Sequence, residues 1–375
     1  MQRIDHPLLS PSLGSHKTLT SFHFGRPGAR PKVYIQASLH ADELPAMLVA
    51  HHLHALLSTA EAAGQLQGEV VLVPVANPIG LAQRLDHKAM GRFELDSSEN
   101  FNRQFPDLAA AVMPVVQPAL GGDAQANVAL VRQAIGQYLQ GQRPSTELQS
   151  LRLTLLQLAH DADHVLDLHC DCEAVMHLYT EDACWPVLAP LAQLLGSEAV
   201  LLAKGSGGHS FDECLSGPWW QLPEMLGLNG ANNALPQACF SATVELRGEG
   251  DVSHALAATD ARALLGFLQQ VQVVAGPVPA LPEARCQPTP LAGSQTLRAD
   301  RAGIVVFAVQ PGERLRQGDL VAEVIDPLAP HTEQVLAGVD GVLYARIRER
   351  YVSAGGELGK IAGAKPFRTG PLLGN

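Results

Sequence analysis

Basic residues are scarce in this chain. Lys and Arg number 26 against 37 Asp and Glu, which leaves a formal net charge of −11. Such an acidic balance repels nucleic-acid phosphates and anionic lipid, so neither nucleic acid nor a membrane is an expected partner. Cysteine is thin as well, with six residues, at 170, 172, 184, 214, 239 and 286, in 375. A secreted disulfide framework is denser and shorter, so reduced thiols in a cytoplasmic protein are the expectation. Long apolar runs are missing. None approaches the roughly 18 residues that a membrane-spanning helix needs. The opening residues, MQRIDHPLLSPSLGSHK, show no apolar segment and no small-residue cleavage site, so no secretory signal is read there.

What remains is ordinary globular material, 46% apolar and 17% charged, which excludes disorder, collagen and coiled coil. Short apolar runs over Lys32–Ser38, Gly68–Ala76, His164–Leu168, Ala174–Tyr179, Ala199–Ala203 and Phe240–Leu246 read as strands. Helical periodicity runs from Glu43 to Leu57, and from Ala124 to His160 with a break near Gly141–Pro144. Strands that are apolar on both faces and separated by helices predict an α/β fold with a mixed, largely parallel sheet flanked by helices. A Pro- and Ala-rich stretch, AGPVPALPEARCQPTPLAG, marks a boundary between Gly276 and Pro290. Beyond it, short strands punctuated by glycine predict a small all-β barrel or sandwich. The expected division is an α/β unit over residues 1–280 and a β unit over 290–375.

The first strand ends in Leu39-His40-Ala41-Asp42-Glu43-Leu44. A His and a carboxylate three apart at a strand-to-helix turn can close on one ion, and in an α/β sheet ligands bind at the carboxyl ends of strands. A catalytic zinc takes three protein groups and keeps a position open for water. Asp167-Leu168-His169, at the end of another strand, supplies His169 as the third. Asp167 shares its face and could orient a ligand imidazole. Blander readings stand beside these: a hydrogen-bonded loop histidine, Glu43 serving the helix dipole, Asp42 capping the helix.

Asn100 to Pro106 (NFNRQFP) places amide and guanidinium groups between aromatic anchors, and Arg103 is suited to gripping a carboxylate through two bonds. Arg92, in GRFELD, could add a second cation or be a solvated loop charge. Glu245 sits inside the apolar strand Thr243-Val244-Glu245-Leu246; it either faces solvent or handles a proton beside activated water.

These motifs, HADE at 40–43, NFNRQFP at 100–106, DLH at 167–169 and VEL at 244–246, with Asn77-Pro78 after the second strand, occur in the order found in the succinylglutamate desuccinylase/aspartoacylase family. The chain resembles that branch of the zinc carboxypeptidase-like hydrolases over roughly residues 30 to 270. The resemblance implies one zinc ion per chain held by His40, Glu43 and His169, with Glu245 as general acid/base. It implies Asn102 and Arg103 on the acyl substrate and Arg92 polarising the scissile carbonyl. Departures exist. Asn100-Phe101 stands where the family pattern has Asp-Leu, the gap from Arg92 to Asn102 is longer, and Arg247 follows VEL where glycine is common. The C-terminal stretch resembles the lipoyl/biotinyl barrel-sandwich, but DPLAPHTEQVLAGVDG has no lysine to modify, so packing or substrate shielding is its expected role.

Other features carry less. The Cys170-Asp171-Cys172 triplet lacks CxxC spacing and a second pair. His51, His52 and His54 crowd one helix and read as surface residues. Lys204 to His209 (KGSGGH) lacks phosphate-loop spacing and reads as a mobile loop near the site. Trp219-Trp220 reads as core or pocket lining. The expected activity is zinc-dependent hydrolysis of a small N-acyl amino acid that bears a carboxylate. A peptidase or esterase of the same superfamily, or a non-catalytic binding protein, is the alternative, and self-association stays open.

Overall fold

The computed structural model describes residues 1–228 and 234–373. In chain order its strands begin β1 (Gln2–Pro7), β2 (Thr18–Phe24), β3 (Lys32–Ala37) and β4 (Glu69–Val73), followed by the short hairpin β5 (Arg84–Leu85) and β6 (Lys88–Ala89). Then come β7 (His164–Asp171), β8 (Glu173–Ala174), β9 (Met176–Glu181), β10 (Ala199–Ala203), β11 (Phe240–Gly248) and β12 (Thr289–Pro290). The helices are α1 (Leu44–Ala62), α2 (Pro78–Ala82), α3 (Leu108–Val116), α4 (Ala124–Gly141), α5 (Glu147–Ala159), α6 (Trp185–Leu195), α7 (Phe211–Ser216), α8 (Pro218–Met225) and α9 (His254–Gln270). Side-chain oxygens of Asp107, Asp123, Thr146 and Ser253 accept backbone N–H bonds at the starts of α3, α4, α5 and α9, satisfying donors that a helix end leaves open.

Nine strands form one sheet in the order β1-β2-β4-β3-β7-β11-β9-β10-β12. The pairs β4/β3, β3/β7, β7/β11, β9/β10 and β10/β12 are parallel, and β1/β2, β2/β4 and β11/β9 are antiparallel. This is the mixed, largely parallel sheet expected from the sequence. Alternate side chains along each strand serve opposite faces. Val33, Ile35, Leu166, Leu168, Val244 and Leu246 pack with α1, α6 and α9. Tyr34, Val71 and Val165 pack with α3, α4, α5, α7 and α8. Polar residues at the ends of β3, β7 and β11 therefore project on the second face. From β3 the chain crosses to β4 on one side, while β7 lies on the other. The crevice between β3 and β7 is the kind of switch point at which ligands settle in open sheets.

After β12 the chain forms β13 (Ser294–Arg298), β14 (Gly303–Phe307), β15 (Arg314–Leu315), β16 (Leu320–Asp326), β17 (His331–Leu336), β18 (Gly341–Arg346), β19 (Tyr351–Val352) and β20 (Glu357–Gly363). They make two antiparallel sheets, β13-β20-β18-β15 and β17-β16-β14-β19, around a core of their own that includes Val305, Val321, Leu343, Leu358 and Ile361. Among the described residues no helix is long and apolar enough to cross a membrane.

Two expectations need correction. The single strand read over Ala174–Tyr179 is two: β9 stays in the large sheet, and β8 leaves it to pair with β18, Ala174 opposite Ala345 and Glu173 opposite Arg346. The N-terminal strands β1 and β2, absent from the sequence reading, extend the sheet as an antiparallel edge.

Arg346 secures the junction between the two sheet systems. Its side chain is 9% exposed and donates from Nε to Glu173 Oε2 (2.6 Å), from Nη1 to Val309 O (2.6 Å) and from Nη2 to Gln310 Oε1 (2.8 Å). Its guanidinium also lies 4.7 Å from the centre of the Phe307 ring. Replacing Arg346 by Met keeps the stem but leaves Glu173 without this partner. We expect Arg346→Met to lower unfolding free energy by about 2–4 kcal/mol in urea titration; a loss below about 0.5 kcal/mol would show that the junction is held by something else.

Candidate metal centre

Three side chains from two strand ends converge. His40, Glu43 and His169 are all buried, and one ligand atom from each lies within 4.8 Å of the others. The turn that delivers the first two is closely specified. Ser38, at φ +60°, breaks β3 and donates its hydroxyl to Glu43 O (2.6 Å). Leu44 then opens α1 and Pro45 follows in its first turn, a position where its missing N–H costs no helical bond. Gly91 presses against this turn; a Cβ there would stand 2.2 Å from Asp42 N, so only glycine allows the Arg92 loop to approach. Asp42 does not cap the helix, and the N-cap position falls to Glu43, which makes no side-chain cap bond. Its carboxylate turns inward.

Glu43 Oε1 lies 3.0 Å from His40 Nδ1, and Oε2 lies 2.7 Å from His169 Nδ1 while accepting from Cys170 N (3.1 Å). The far nitrogens are held too. His40 Nε2 is 2.8 Å from Asn100 Oδ1, and His169 Nε2 is 3.0 Å from Asp167 Oδ2. With Nε2 protonated toward those oxygens, each Nδ1 presents a lone pair to the same side as the Glu43 carboxylate. A buried cluster of acceptors facing one another calls for a cation at its centre. Metal–ligand bonds of about 2 Å put donors within roughly 4 Å of each other, so this donor set fits a zinc ion with two imidazoles and a carboxylate. The orienting oxygens match the outer partners that metal-binding imidazoles usually have.

The two imidazoles differ in charge, and a metal ion would have to displace the proton that His169 otherwise holds against Glu43. Burial and nearby Arg92 push the His40 imidazole down to about 4, leaving it neutral at pH 7. Burial opposes charge on His169, but Asp167 and Glu43 outweigh it and raise its pKa well above the usual value. Glu43 is held below the ordinary carboxylate range: burial works against its charge, and the two imidazoles overcome it.

Asp167 belongs to a buried chain. Tyr34 donates its hydroxyl to Gln36 Oε1 (2.9 Å), and Gln36 Nε2 donates to Asp167 Oδ1 (2.9 Å). The His40 support is anchored by Arg152, whose Nη2 donates to Asn100 O (2.8 Å) and whose Nη1 pairs with Glu99 Oε2 (2.7 Å). Asn100 thus stands where the family pattern has aspartate and does an acceptor's work with a neutral amide.

A cavity of about 80 Å³ opens beside the cluster, lined among others by His40, Arg92, Asn102, Arg103, His169 and Glu245. Glu245 pairs across the sheet with His169 on one side and His177 on the other. It therefore faces the cavity, not solvent. Its Oε2 is buried without a hydrogen-bond partner among the described residues. Burial and the Glu43 charge push its pKa up to about 8. Arg92, 47% exposed along its side chain, brings Nη1 within 3.3 Å of both His40 Nδ1 and Glu43 Oε1. Arg103 Nη1 donates to Asn102 O (2.7 Å); burial and the Arg92 charge lower its pKa, and Asp212 and Glu213 counter them only in part. Asn102 is already engaged, since its Oδ1 accepts from Phe211 N (2.9 Å).

Arg247 lies in the left-handed region at φ +65°, beside a register shift in β11. That conformation suits the glycine common there, and an ion pair with Asp260 holds the arginine in it. Among the described residues, none of the remaining candidates joins the ligand cluster. Cys170 and Cys172 are free thiols. His52 Nε2 meets His254 Nδ1 at 3.0 Å on an exposed helix face. The Lys204–His209 loop lies beside the site but is tied down, since Phe105 N donates to His209 O (3.0 Å) and Ser206 N to Glu213 Oε1 (2.6 Å). Trp219 packs in the core, and Trp220 lines a neighbouring cavity. Sequence reasoning missed Asn100 as a support and Gln36, Tyr34 and Arg152 altogether; a glutamine and a tyrosine inside the apolar run KVYIQAS were the available signal for two of them.

A family model, the succinylglutamate desuccinylase/aspartoacylase catalytic domain, matches residues 29–119. Among solved structures, a succinylglutamate desuccinylase/aspartoacylase family protein from Shewanella amazonensis superposes with a TM-score of 0.84 at 26% identity, over 96% of this chain and 98% of that one. A succinylglutamate desuccinylase/aspartoacylase from Shewanella frigidimarina gives 0.84 at 23% identity, over 96% and 97%. The ectoine utilization protein EutE (DoeB) from Ruegeria pomeroyi gives 0.66 at 16%, over 96% and 93%. The last two likenesses show the fold alone. No curated protein sequence matches. The family resemblance read from the motifs and the family of the structural neighbours are the same.

If Asn100 and Asp167 orient the two imidazoles, then Asn100→Ala and Asp167→Ala should each weaken zinc affinity by about 10–100-fold. Competition with a chromogenic chelator measures this, and unchanged affinity in both variants would remove their orienting role.

Proposed function

We propose that this chain, whose residues 29–119 match the succinylglutamate desuccinylase/aspartoacylase catalytic domain, is a metal-dependent hydrolase that cleaves the amide bond of a small N-acyl amino acid. The observation that carries the reading is the convergence of His40, Glu43 and His169 on one buried point, beside a cavity that Glu245 also lines. In this reading the three side chains hold one zinc ion. When bound, it supplies Lewis acidity toward the carbonyl and acidifies a water.

The protein's own groups do the rest. Glu245 has a buried oxygen without a partner and a pKa pushed up to about 8. Such a carboxyl is poised to accept a proton from the attacking water and return it to the leaving amine. Arg92 approaches the cluster from its exposed side and is placed to steady the oxyanion that develops on the carbonyl. Arg103 and Asn102 form the wall from which the substrate carboxylate is held, with Asn102 acting mainly by fixing the loop. The cavity of about 80 Å³ leads to an outer vestibule of about 530 Å³ that the C-terminal sheets help to line. That restricted space favours a small acyl compound over a peptide.

The same reading divides the chain into a hydrolase unit over residues 1–280 and an unmodified lipoyl/biotinyl-like β unit over 290–375. The separate core of the C-terminal sheets supports this division. Six free cysteines support a cytoplasmic setting.

The test is Glu245→Gln. The variant should keep its zinc stoichiometry and lose about 10²–10⁴-fold in kcat on an N-acyl amino acid panel read by release of free amine. Wild-type turnover in the variant would remove Glu245 from the reaction.

A further inference from the structure

One wall of the cavity comes from the far end of the chain. Lys360, on β20, lines both the small cavity and the vestibule, together with Leu291 and Leu373. An irregularity in the strand aims it there. Against β13 the register skips Leu358, with Leu297 opposite Gly359 and Arg298 opposite Glu357. A bulge of this kind re-aims side chains that simple alternation would place elsewhere. Leu358 and Ile361 both enter the β core, while Ala362 packs toward Leu201, Leu291 and Tyr344 at the junction. Lys360 shares the face of Ala362.

The Lys360 ammonium donates to Asp171 Oδ2 at 2.9 Å and lies 3.6 Å from Glu357 Oε1. An ammonium carries three donors. Among the described residues, no second acceptor lies within hydrogen-bond distance, and the side chain is 27% exposed. Asp171 in turn follows His169 by two residues on β7, so it projects on the same face as the cluster. Two other cations, Arg92 and Arg103, line both the cavity and the vestibule. Arg92 meets Glu43, and Arg103 has Asp212 and Glu213 close by.

We propose that Lys360 is a specificity-determining residue that receives a second carboxylate of the substrate, on its acyl side, apart from the one held at Arg103, so that the C-terminal sheets complete the binding site and do more than cover it. The proposal rests on the hydrolase reading above for what the bound molecule is, but not for whether an anion binds.

The test uses the zinc-loaded full chain and isothermal titration with succinate, with uncharged succinamide as the control. Lys360→Met should weaken succinate by about tenfold or more and leave succinamide and zinc content unchanged. Lys360→Arg should recover most of the loss. Asp171→Asn separates binding from mere bracing: if Lys360 takes the anion, this variant binds succinate as well as the wild type or better. A brace would instead make Asp171→Asn resemble Lys360→Met, and that result overturns the proposal. So does wild-type protein that binds no succinate, or a Lys360→Met variant that binds it normally. A chain that binds succinate through Lys360 yet hydrolyses no N-acyl amino acid defeats the hydrolase reading alone. Hydrolysis that is indifferent to Lys360 defeats this proposal alone.

Discussion

The buried carboxylate of Glu43 is the constraint around which the rest of the molecule is arranged. It is 3% exposed and flanked by two imidazoles, and it accepts from Cys170 N and Arg92 Nη1. Burying such a charge is costly unless it is paired. Its placement therefore demands groups delivered from strand ends that lie far apart in the chain. The parallel β3/β7 pair meets that demand, because Ala37 and Leu168 stand side by side and His40 and His169 follow them. Each imidazole is then fixed from behind by a different part of the fold. A buried relay of Tyr34, Gln36 and Asp167 serves one, and a loop held by Arg152 serves the other.

The division of labour between the two faces of the sheet explains how so polar a cluster survives in this core. Leu166, Leu168, Val244 and Leu246 seal the face covered by α1, α6 and α9. The intervening residues His169, Thr243 and Glu245 are free to be polar because they open onto a cavity, and Asp167 because Gln36 and His169 partner it. Period-two alternation thus gives β7 and β11 a structural face and a chemical face within the same few residues. The C-terminal sheets close the arrangement through β8, which leaves the large sheet to join β18 only two residues after Asp171.

Much of this was legible in the chain itself. Short apolar runs located β3, β4, β7, β10 and β11, since strands buried on both faces must be apolar throughout. Three of the convergent motifs stood out because His, Asp and Glu interrupt or end those runs, and the fourth, residues 100–106, because amide and guanidinium groups sit between aromatics. Other features had no local signature. Asn100 lies within a motif that was read for its substrate-facing neighbours, and only geometry reveals it behind His40. The split between β8 and β9 depends on a pairing with residues more than 150 positions away. Lys360 looks like an ordinary strand residue in a glycine-rich stretch, and a bulge decides which way it points. Arg247 marks the reverse case, in which a departure from the family pattern is accommodated by a left-handed backbone and an ion pair.

The central claim is that His40, Glu43 and His169 bind one metal ion together. X-ray absorption spectroscopy at the zinc edge of the loaded protein tests it most directly. The account predicts one zinc per chain with two imidazole nitrogens and a carboxylate oxygen among its scatterers, the remaining ligand being light. Sulfur scattering from the nearby Cys170 or Cys172, or zinc that stays bound at full stoichiometry when Glu43 and both histidines are replaced by alanine, would contradict it.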